Sequence, residues 1–338
     1  MSGVPSSART SLVQKGAYVL AAVACVVVAT KGLAVMRRFS DADSLTLSPP
    51  TSVAATGASP ATGLASGGVT IADSLLGLSG AVRFVTLTSE EALRLPGFLK
   101  SFGEEAIRTP AVRMVARPDG APFALLVMRP FGAKRGDWLG TYRLGRWPAE
   151  QWMMARNYYN PDGFVEVTPE NVGLALSAHF VLGDFLTHDQ NRVWPKYVVL
   201  EEKLIDKLEL VMQELARGGT KADRAVVLSG FRAPYYNDRG VGEGMARASR
   251  HQYGDAADLL IDNDGDGRMD DLNGDGRINL ADVGPVSAAV ARVERDHPGL
   301  LGGLGTYTAM GPRGPFAHVD VRGTSARWES GWWKQQKP

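Results

Sequence analysis

The sequence has only one cysteine, Cys25, and it lies in an apolar run near the N-terminus. A disulfide within the chain is therefore impossible, and a zinc site built from several cysteines is excluded. The charge is also nearly balanced, since 37 Lys and Arg against 36 Asp and Glu give a formal net charge of +1. Because nucleic-acid binding usually needs a basic surplus, we expect no nucleic-acid partner. Any metal must be held by histidines and carboxylates.

Histidine is scarce as well, which keeps the search for metal ligands short. The chain has five histidines: His179, His188, His251, His297 and His318. The apolar fraction of 44% and the charged fraction of 22% are ordinary for a globular protein. With 338 residues there is room for roughly two domains.

The apolar run at residues 17–36 is followed by Arg37 and Arg38. It is long enough to cross a hydrocarbon core of about 30 Å, so we predict a transmembrane anchor with residues 1–16 as a cytoplasmic tail. A cleaved signal peptide is the alternative, because basic residues also precede the run. A lipid anchor on Cys25 is disfavoured, because the apolar residues continue well past it.

Three further segments follow the predicted anchor. Residues 37–81 are rich in Ala, Ser, Thr, Gly and Pro, which predicts a flexible linker. Residues 82–160 contain short runs such as VRFVTL, AVRMVA and FALLVM, which predict a small β-rich module. Residues 161–338 combine a helical pattern, LEEKLIDKLELVMQELARGG, with strand-like runs. The fold class we expect is α+β, with an antiparallel sheet flanked by helices.

Three motifs in the last segment carry a family resemblance. They are SGFRAP at 229–234, the spacing Ser249-x-His251-x6-Asp258, and the late pair His318-x-Asp320. In this order they resemble the zinc peptidase family of D-Ala-D-Ala carboxypeptidases and dipeptidases. That family includes phage endolysins and shares its fold with the hedgehog signalling domain. The resemblance covers most of residues 175–328.

The resemblance implies a zinc site formed by His251, Asp258 and His318. A catalytic zinc takes three protein ligands and keeps one position open, which suits two imidazoles and one carboxylate. Arg232 matches the family's arginine and is expected to bind a substrate carboxylate or an oxyanion, or else to form an ion pair that fixes its loop. Ser249 is expected to orient the loop or a substrate group. We interpret the other three histidines as structural.

One position departs from the family pattern. The family places an acidic general base three residues before the last zinc histidine, where this chain has Pro315. Asp320 is our first candidate for the base, because residues two apart on a strand share a face. Its alternative role is a hydrogen bond behind the ligand or a salt bridge to Arg322 or Arg232. Asp255 is a weaker candidate.

Residues 262–282 read DNDGDGRMDDLNGDGRINLAD and resemble calcium-binding loops. Oxygen groups at alternate positions with a central glycine suit a hard cation. The second half fits one loop beginning at residue 271, and the first half begins an incomplete one. We predict a structural calcium ion held by members of this set: Asp262, Asp264, Asp266, Asp271, Asn273, Asp275 and Asp282. The alternative is a polar turn that binds nothing.

Together these features predict a zinc-dependent peptidase that hydrolyses peptidoglycan stem peptides or cross-links. Its substrate lies outside the cytoplasmic membrane, so we expect a single-pass protein of the bacterial inner membrane with its catalytic domain in the periplasm. One alternative is a non-catalytic, metal-containing cell-wall binding module on the same fold. Another is a calcium-dependent adhesion or scaffold protein.

Overall fold

A computed structural model describes residues 44–46, 68–117, 119–151, 158–309 and 311–330. Apart from Ser44, every described residue belongs to one compact unit, Leu45–Pro338. The predicted anchor at 17–36 and most of the predicted linker lie outside the described residues. Within the described ranges, no helix is long and apolar enough to cross a bilayer.

The first part of the described chain contains short strands and three short helices. Its elements are β1 (Ser44–Thr46), β2 (Thr70–Ala72), β3 (Phe84–Leu87), α1 (Ser89–Arg94), α2 (Phe98–Phe102), α3 (Glu105–Arg108), β4 (Ala111–Ala116) and β5 (Pro122–Val127). Strand β5 lies between β3, which runs parallel to it, and β4, which runs antiparallel. The three helices are not predicted above. Helix α1 begins at a capping box in which Thr88 and Glu91 satisfy each other's backbone N–H groups.

A second group of elements leads towards the C-terminal sheet. It comprises β6 (Arg129–Pro130), β7 (Trp138–Leu139), β8 (Tyr142–Arg143), α4 (Pro148–Gln151), β9 (Gly163–Val167) and β10 (Lys196–Val198). Strand β9 pairs antiparallel with both β10 and β6. Trp147, which is fully buried, donates its indole N–H to the carbonyl oxygen of Gln252 at 2.8 Å. This bond joins the segment to the turn that carries His251.

The C-terminal part is a five-stranded sheet with two long helices. Its elements are α5 (Glu202–Arg217), β11 (Ala225–Ser229), α6 (Pro234–Arg239), β12 (Ala256–Ile261), α7 (Val283–Asp296), β13 (Gly303–Tyr307), β14 (Phe316–Asp320) and β15 (Ala326–Ser330). The strand order is β11-β12-β14-β13-β15. All pairs are antiparallel except β13 with β15. The chain reverses after β14, so β15 runs opposite to β14 and hence parallel to β13.

Helix α5 anchors the sheet through one apolar face. Leu204, Leu208 and Val211 recur at helical spacing and are fully buried, and α5 packs against α7. Lys207 on α5 is also buried, and its Nζ donates to Glu294 Oε1 at 2.6 Å and to the carbonyl oxygen of Asp320 at 2.8 Å. A buried ammonium needs such partners, and these two tie α5 to α7 and to the end of β14.

The hydrophobic core is continuous across the boundary expected near residue 160. Phe84, Trp147 and Phe164 belong to the same buried cluster as Leu208, in α5, and Val319, in β14. Burial of large apolar side chains is the main stabilising contribution in such a cluster. The segment before residue 161 therefore packs into the core that supports the C-terminal sheet.

Candidate metal centre

Strand register brings the predicted ligands onto one face of the sheet. Ser229 is paired with Asp258, Asp258 with His318, His318 with Gly305, and Gly305 with Trp328. Directly paired residues on neighbouring strands project to the same face. The row crosses all five strands, with Asp258 and His318 at its centre.

His251 reaches the row from a single turn of 3-10 helix at Arg250–Tyr253, directly before β12. Gly254 ends this turn with φ +67°, in the left-handed region that favours glycine. A Cβ at this position would lie 2.1 Å from the carbonyl oxygen of Val199. Glycine is therefore required for the chain to pass from the His251 turn into the Asp258 strand.

The three predicted ligands converge in a buried position. His318 Nδ1 lies 2.9 Å from Asp258 Oδ1 and 3.2 Å from His251 Nε2. His251 Nε2 lies 3.3 Å from the same carboxylate oxygen. All three residues are at most 6% exposed. The geometry thus gathers two imidazole nitrogens and one carboxylate oxygen around a common point.

The outward nitrogens of both rings are already committed to hydrogen bonds. His251 Nδ1 faces the carbonyl oxygen of Gly230 at 2.7 Å, and His318 Nε2 faces Asp320 Oδ2 at 3.0 Å. An oxygen of this kind can only accept, so each outward nitrogen carries the hydrogen. In the neutral rings, the inward nitrogens then present bare lone pairs. Two lone pairs and a carboxylate oxygen that face one another repel each other unless a cation lies between them. The donor set therefore fits a metal ion.

A proton shared by these groups is the alternative to a metal ion at this position. Burial lowers the pKa of His251 to about 4. Burial also opposes a charged His318, but hydrogen bonds to Asp258 and Asp320 outweigh it and raise the pKa of that ring. Burial would raise the pKa of Asp258, yet the nearby histidines and Arg232 hold it well below its usual value. The carboxylate is thus ionised, as a ligand must be.

Arg232 fixes the second oxygen of Asp258. Its Nη2 donates to Asp258 Oδ2, and its Nε donates to Ser229 Oγ at 2.7 Å. The ion pair leaves Oδ1 to face the two imidazoles. The loop-fixing role expected as an alternative for Arg232 is therefore seen, and its remaining nitrogen, Nη1, is left for another partner.

Asp320 lies behind His318, on the far side of the ring from Asp258. It is fully buried, and it also accepts from the backbone N–H of Gly303 at 2.7 Å and from the Arg322 guanidinium. Burial alone would raise the pKa of Asp320, but the hydrogen bonds from His318, Arg322 and the Gly303 N–H hold it well below its usual value. Of the two roles considered for Asp320, this position matches the hydrogen bond behind the ligand and the Arg322 salt bridge.

The two remaining predicted polar residues are placed differently. Ser249 immediately precedes the His251 turn, and its carbonyl oxygen accepts from the N–H of Gln252 at 3.2 Å. Asp255 is buried in an ion pair with Arg250, which leaves it committed elsewhere. The substrate contact expected of Ser249 stays a prediction.

Trp328 was missed by the sequence analysis. Its ring centroid lies 5.0 Å from that of His318, and its Nε1 donates to the Tyr307 hydroxyl at 2.8 Å. The indole occupies the space above Gly305, where a Cβ would come within 2.3 Å of it. No local motif marks this tryptophan, because its place depends on the pairing of β15 with β13.

The predicted calcium insert forms two loops rich in hydrogen bonds. Asp271 accepts from the backbone N–H groups of Gly274 and Gly276, at 2.8 and 2.7 Å. The buried Asp282 accepts from the N–H groups of Leu272 and Asn279.

In the first loop, carboxylate oxygens of Asp262 and Asp264 gather with one from Asp270. Asp270 was missed, although counting from Asp262 puts it at the ninth loop position, a normal ligand position. Calcium binding by the insert stays a prediction.

In the described part of the chain, the other three histidines make no hydrogen bond to the three predicted ligands. His179 Nδ1 contacts the buried Glu209 at 2.8 Å, and the backbone N–H of His297 donates to the carbonyl oxygen of Val293 at the end of α7. His188 is exposed. It follows Thr187, which contacts the Arg232 loop.

Comparisons with known proteins give little support for assigning a family or a function. No protein-family model matches the chain, and no curated protein matches it. Among solved structures, the Serratia marcescens L-Ala D-Glu endopeptidase ChiX matches with a TM-score of 0.24 and 16% identity. The match covers 36% of this chain and 82% of that chain. With a TM-score this low, fold and function must be argued from the chain's own residues.

Proposed function

We propose that this chain is a zinc-dependent peptidase that hydrolyses peptide bonds in peptidoglycan stem peptides or cross-links. The main support for a metal site is the convergence of His251 Nε2, His318 Nδ1 and Asp258 Oδ1. The outward nitrogens of both rings already form hydrogen bonds. The substrate class is supported by the resemblance of the three motifs to the D-Ala-D-Ala carboxypeptidase family.

Zinc is the metal that suits this donor set. Two imidazoles and one carboxylate are a common catalytic zinc set, and three protein ligands leave a position open. When bound, zinc supplies Lewis-acid chemistry, in which it lowers the pKa of water and polarises a carbonyl group.

The chain's own residues provide orientation and charge. Arg232 holds Asp258 by one oxygen, and Asp320 holds His318 by the nitrogen that faces away from the ligands. Partners of this kind set the tautomer and the direction of a ligand. The unbonded Nη1 of Arg232 is a charged donor suited to the oxygen of a carbonyl under attack. Asp320 then acts as a positioning residue, and the proton acceptor is a group other than Asp320.

A non-catalytic module is the second candidate, and it has one specific observation in its favour. Pro315 stands where the family has its acidic base, and Asp320 is fully engaged behind His318. Such a module would bind zinc near one equivalent and leave cell-wall peptides intact. Under either function we place the C-terminal domain outside the cytoplasmic membrane, where peptidoglycan lies.

The test compares wild type with His318→Ala on purified sacculi. We expect wild type loaded with zinc to release or convert muropeptides, and His318→Ala to lose both this activity and near-stoichiometric zinc. Muropeptides are separated by liquid chromatography with mass spectrometry, and metal content is measured on the same protein.

The matched control is His297→Ala, which removes an imidazole outside the centre. It should keep both zinc and activity. If wild type binds zinc and muropeptides stay unchanged, the binding module is the correct function. If wild type binds calcium but no zinc after dialysis, the metal centre itself is refuted.

A further inference from the structure

The indole of Trp328 lies against the imidazole of His318. The two ring centroids are 5.0 Å apart with an interplanar angle of 48°, which is within the range of favourable aromatic pairs. The indole reaches His318 across β13, because Gly305 lies between the two residues in the strand register. A Cβ on Gly305 would come within 2.3 Å of two indole atoms. The Trp328 ring therefore fills the position that a side chain on β13 would occupy.

The imidazole of His318 has neighbours on both sides along the sheet. On the β12 side, Asp258 is its direct partner in the register, and the His251 ring lies 5.0 Å away at an interplanar angle of 68°. On the β13 side, Gly305 has no side chain with which to cover the ring. Since His318 is only 6% exposed, we attribute the cover on that side to the indole of Trp328.

The position of the indole is fixed from the strand that carries His318. Trp328 Nε1 donates to the Tyr307 hydroxyl at 2.8 Å. The Tyr307 ring stacks on Phe316, with centroids 4.6 Å apart and an interplanar angle of 5°. Phe316 lies two residues before His318 on β14 and therefore shares its face of the sheet. The contacts thus run from His318 through Trp328, Tyr307 and Phe316 and return to β14.

The hydrogen bonds of His318 leave one motion of its ring to be opposed. Asp258 faces Nδ1 and Asp320 faces Nε2, at 2.9 and 3.0 Å. Hydrogen bonds tolerate some departure from linearity, so the ring can still tilt about the line that joins these two partners. A tilt would turn the Nδ1 lone pair away from a bound metal. A ring packed against the imidazole opposes that tilt, and apolar neighbours of this kind also limit the access of water to a metal ligand.

We propose that Trp328 is a positioning residue of the metal centre. Its indole keeps the imidazole of His318 in the orientation that a zinc ion requires and keeps water away from that ligand. Tyr307 contributes indirectly, because its hydroxyl fixes the indole. This role rests on the metal centre of the proposed function, and it adds to that centre a residue that belongs to none of the sequence motifs.

The test measures zinc affinity, ligand geometry and turnover on the full-length protein in detergent. Wild type is compared with Trp328→Leu, which removes the ring, with Trp328→Phe, which keeps a ring, and with Tyr307→Phe, which removes only the hydroxyl. Zinc affinity is measured by competition with a chromophoric chelator. Ligand geometry is read from the visible absorption spectrum of the cobalt-loaded protein, and kcat and KM are measured on a stem peptide at saturating zinc.

The matched control is Phe123→Leu in β5. Phe123 is fully buried, and it lies outside the hydrophobic cluster that contains Val319 of β14. Its replacement leaves a cavity that should lower the melting temperature, while zinc affinity and the cobalt spectrum should match wild type. This control separates a general loss of stability from an effect on the metal ligand.

Trp328→Leu should weaken zinc binding about tenfold, the lower end of the range for partners of a metal ligand, and should alter the cobalt spectrum. At saturating zinc, kcat should fall and KM should change little, because the metal acts on the reacting bond. Trp328→Phe should recover most of the loss in zinc affinity. Tyr307→Phe should show a smaller loss than Trp328→Leu.

The outcomes separate the role of Trp328 from the proposed function. Zinc affinity and a cobalt spectrum equal to those of wild type in Trp328→Leu would refute the positioning role, even with a melting temperature as low as that of Phe123→Leu. If Trp328→Leu does not fold, unchanged zinc affinity in Tyr307→Phe refutes it instead. If wild type binds zinc and cleaves no peptide, the peptidase fails, and the metal measurements still decide the role of Trp328. If wild type binds neither zinc nor cobalt, the metal centre and the role of Trp328 fail together.

Discussion

The substitution Asp320→Asn distinguishes a positioning role from a general base. Both oxygens of Asp320 accept from more than one donor. Oδ1 bonds the N–H groups of Gly303 and Arg322, while Oδ2 bonds His318 Nε2 and the Arg322 guanidinium. An asparagine amide must point its NH2 group at donors on one side. The hydrogen bond to His318 or the bonds to Gly303 and Arg322 are therefore lost.

The expected magnitude follows from this geometry. Loss of a partner behind a metal-binding histidine typically weakens metal binding about 10- to 100-fold, or roughly 1.4–2.7 kcal/mol. The assay is competition for zinc against a chromophoric chelator, followed by turnover at saturating zinc. We expect weaker zinc binding and a partial recovery of activity as zinc is raised. Asp296→Asn is the control, because Asp296 is exposed and pairs with its neighbour Arg295.

A general base would give the opposite pattern. Removing one typically costs about 10²- to 10⁴-fold in rate, and zinc affinity would stay near that of wild type. Unchanged affinity together with lost turnover at saturating zinc would therefore refute the positioning role. A thermal melt of each zinc-loaded variant excludes unfolding as the cause.

Two further predictions concern the sheet and the insert. Gly305→Ala should lower the free energy of unfolding by roughly 1–3 kcal/mol and lower the melting temperature accordingly. The added Cβ would lie 2.3 Å from the Trp328 indole and would break the hydrogen bond from this indole to Tyr307. The control is Gly284→Ala in α7, where the added Cβ would have no atom within 4 Å, so this change should be neutral or stabilising. Equal melting temperatures of wild type and Gly305→Ala would contradict the position of Trp328. Removing calcium with EGTA from a calcium-loaded sample should lower the melting temperature, since calcium at about 100 times its Kd adds about 2.7 kcal/mol. Asp271→Asn should abolish most of that difference, and an unchanged melt of wild type in EGTA would refute a stabilising calcium ion.

The residue types of the metal centre follow from the sequence, but their orientation does not. The chain has no usable cysteine and five histidines, and the resemblance of its three motifs to a known family predicts His251, Asp258 and His318 as the ligand set. Which ring nitrogen faces inward depends on the Gly230 carbonyl and the Asp320 carboxylate. Those contacts form only once β11, β12 and β14 are paired.

Asp320 and Trp328 show the limits of local patterns. Period-two spacing places Asp320 on the face of His318, yet it cannot tell the near side of the ring from the far side. Trp328 lies outside every motif and reaches His318 only through the parallel pairing of β15 with β13. The helices between β3 and β4 were missed for a different reason, since they are short and their signal is one capping box at Thr88.

The affinity that we expect of the proposed metal centre depends on the partners of its three ligands. The Gly230 carbonyl sets the tautomer of His251, Arg232 selects the free oxygen of Asp258, and Asp320 directs the ring of His318. These partners are themselves fixed by the fold, since Lys207 of α5 holds the Asp320 carbonyl oxygen and Thr187 holds both sides of Arg232. Because the ligand side chains are already held in place, binding of a cation should cost little conformational entropy. The same three ligands in a short peptide would have to be ordered at the moment of binding. We therefore expect the affinity of the proposed centre to depend on the packed sheet as much as on its ligands.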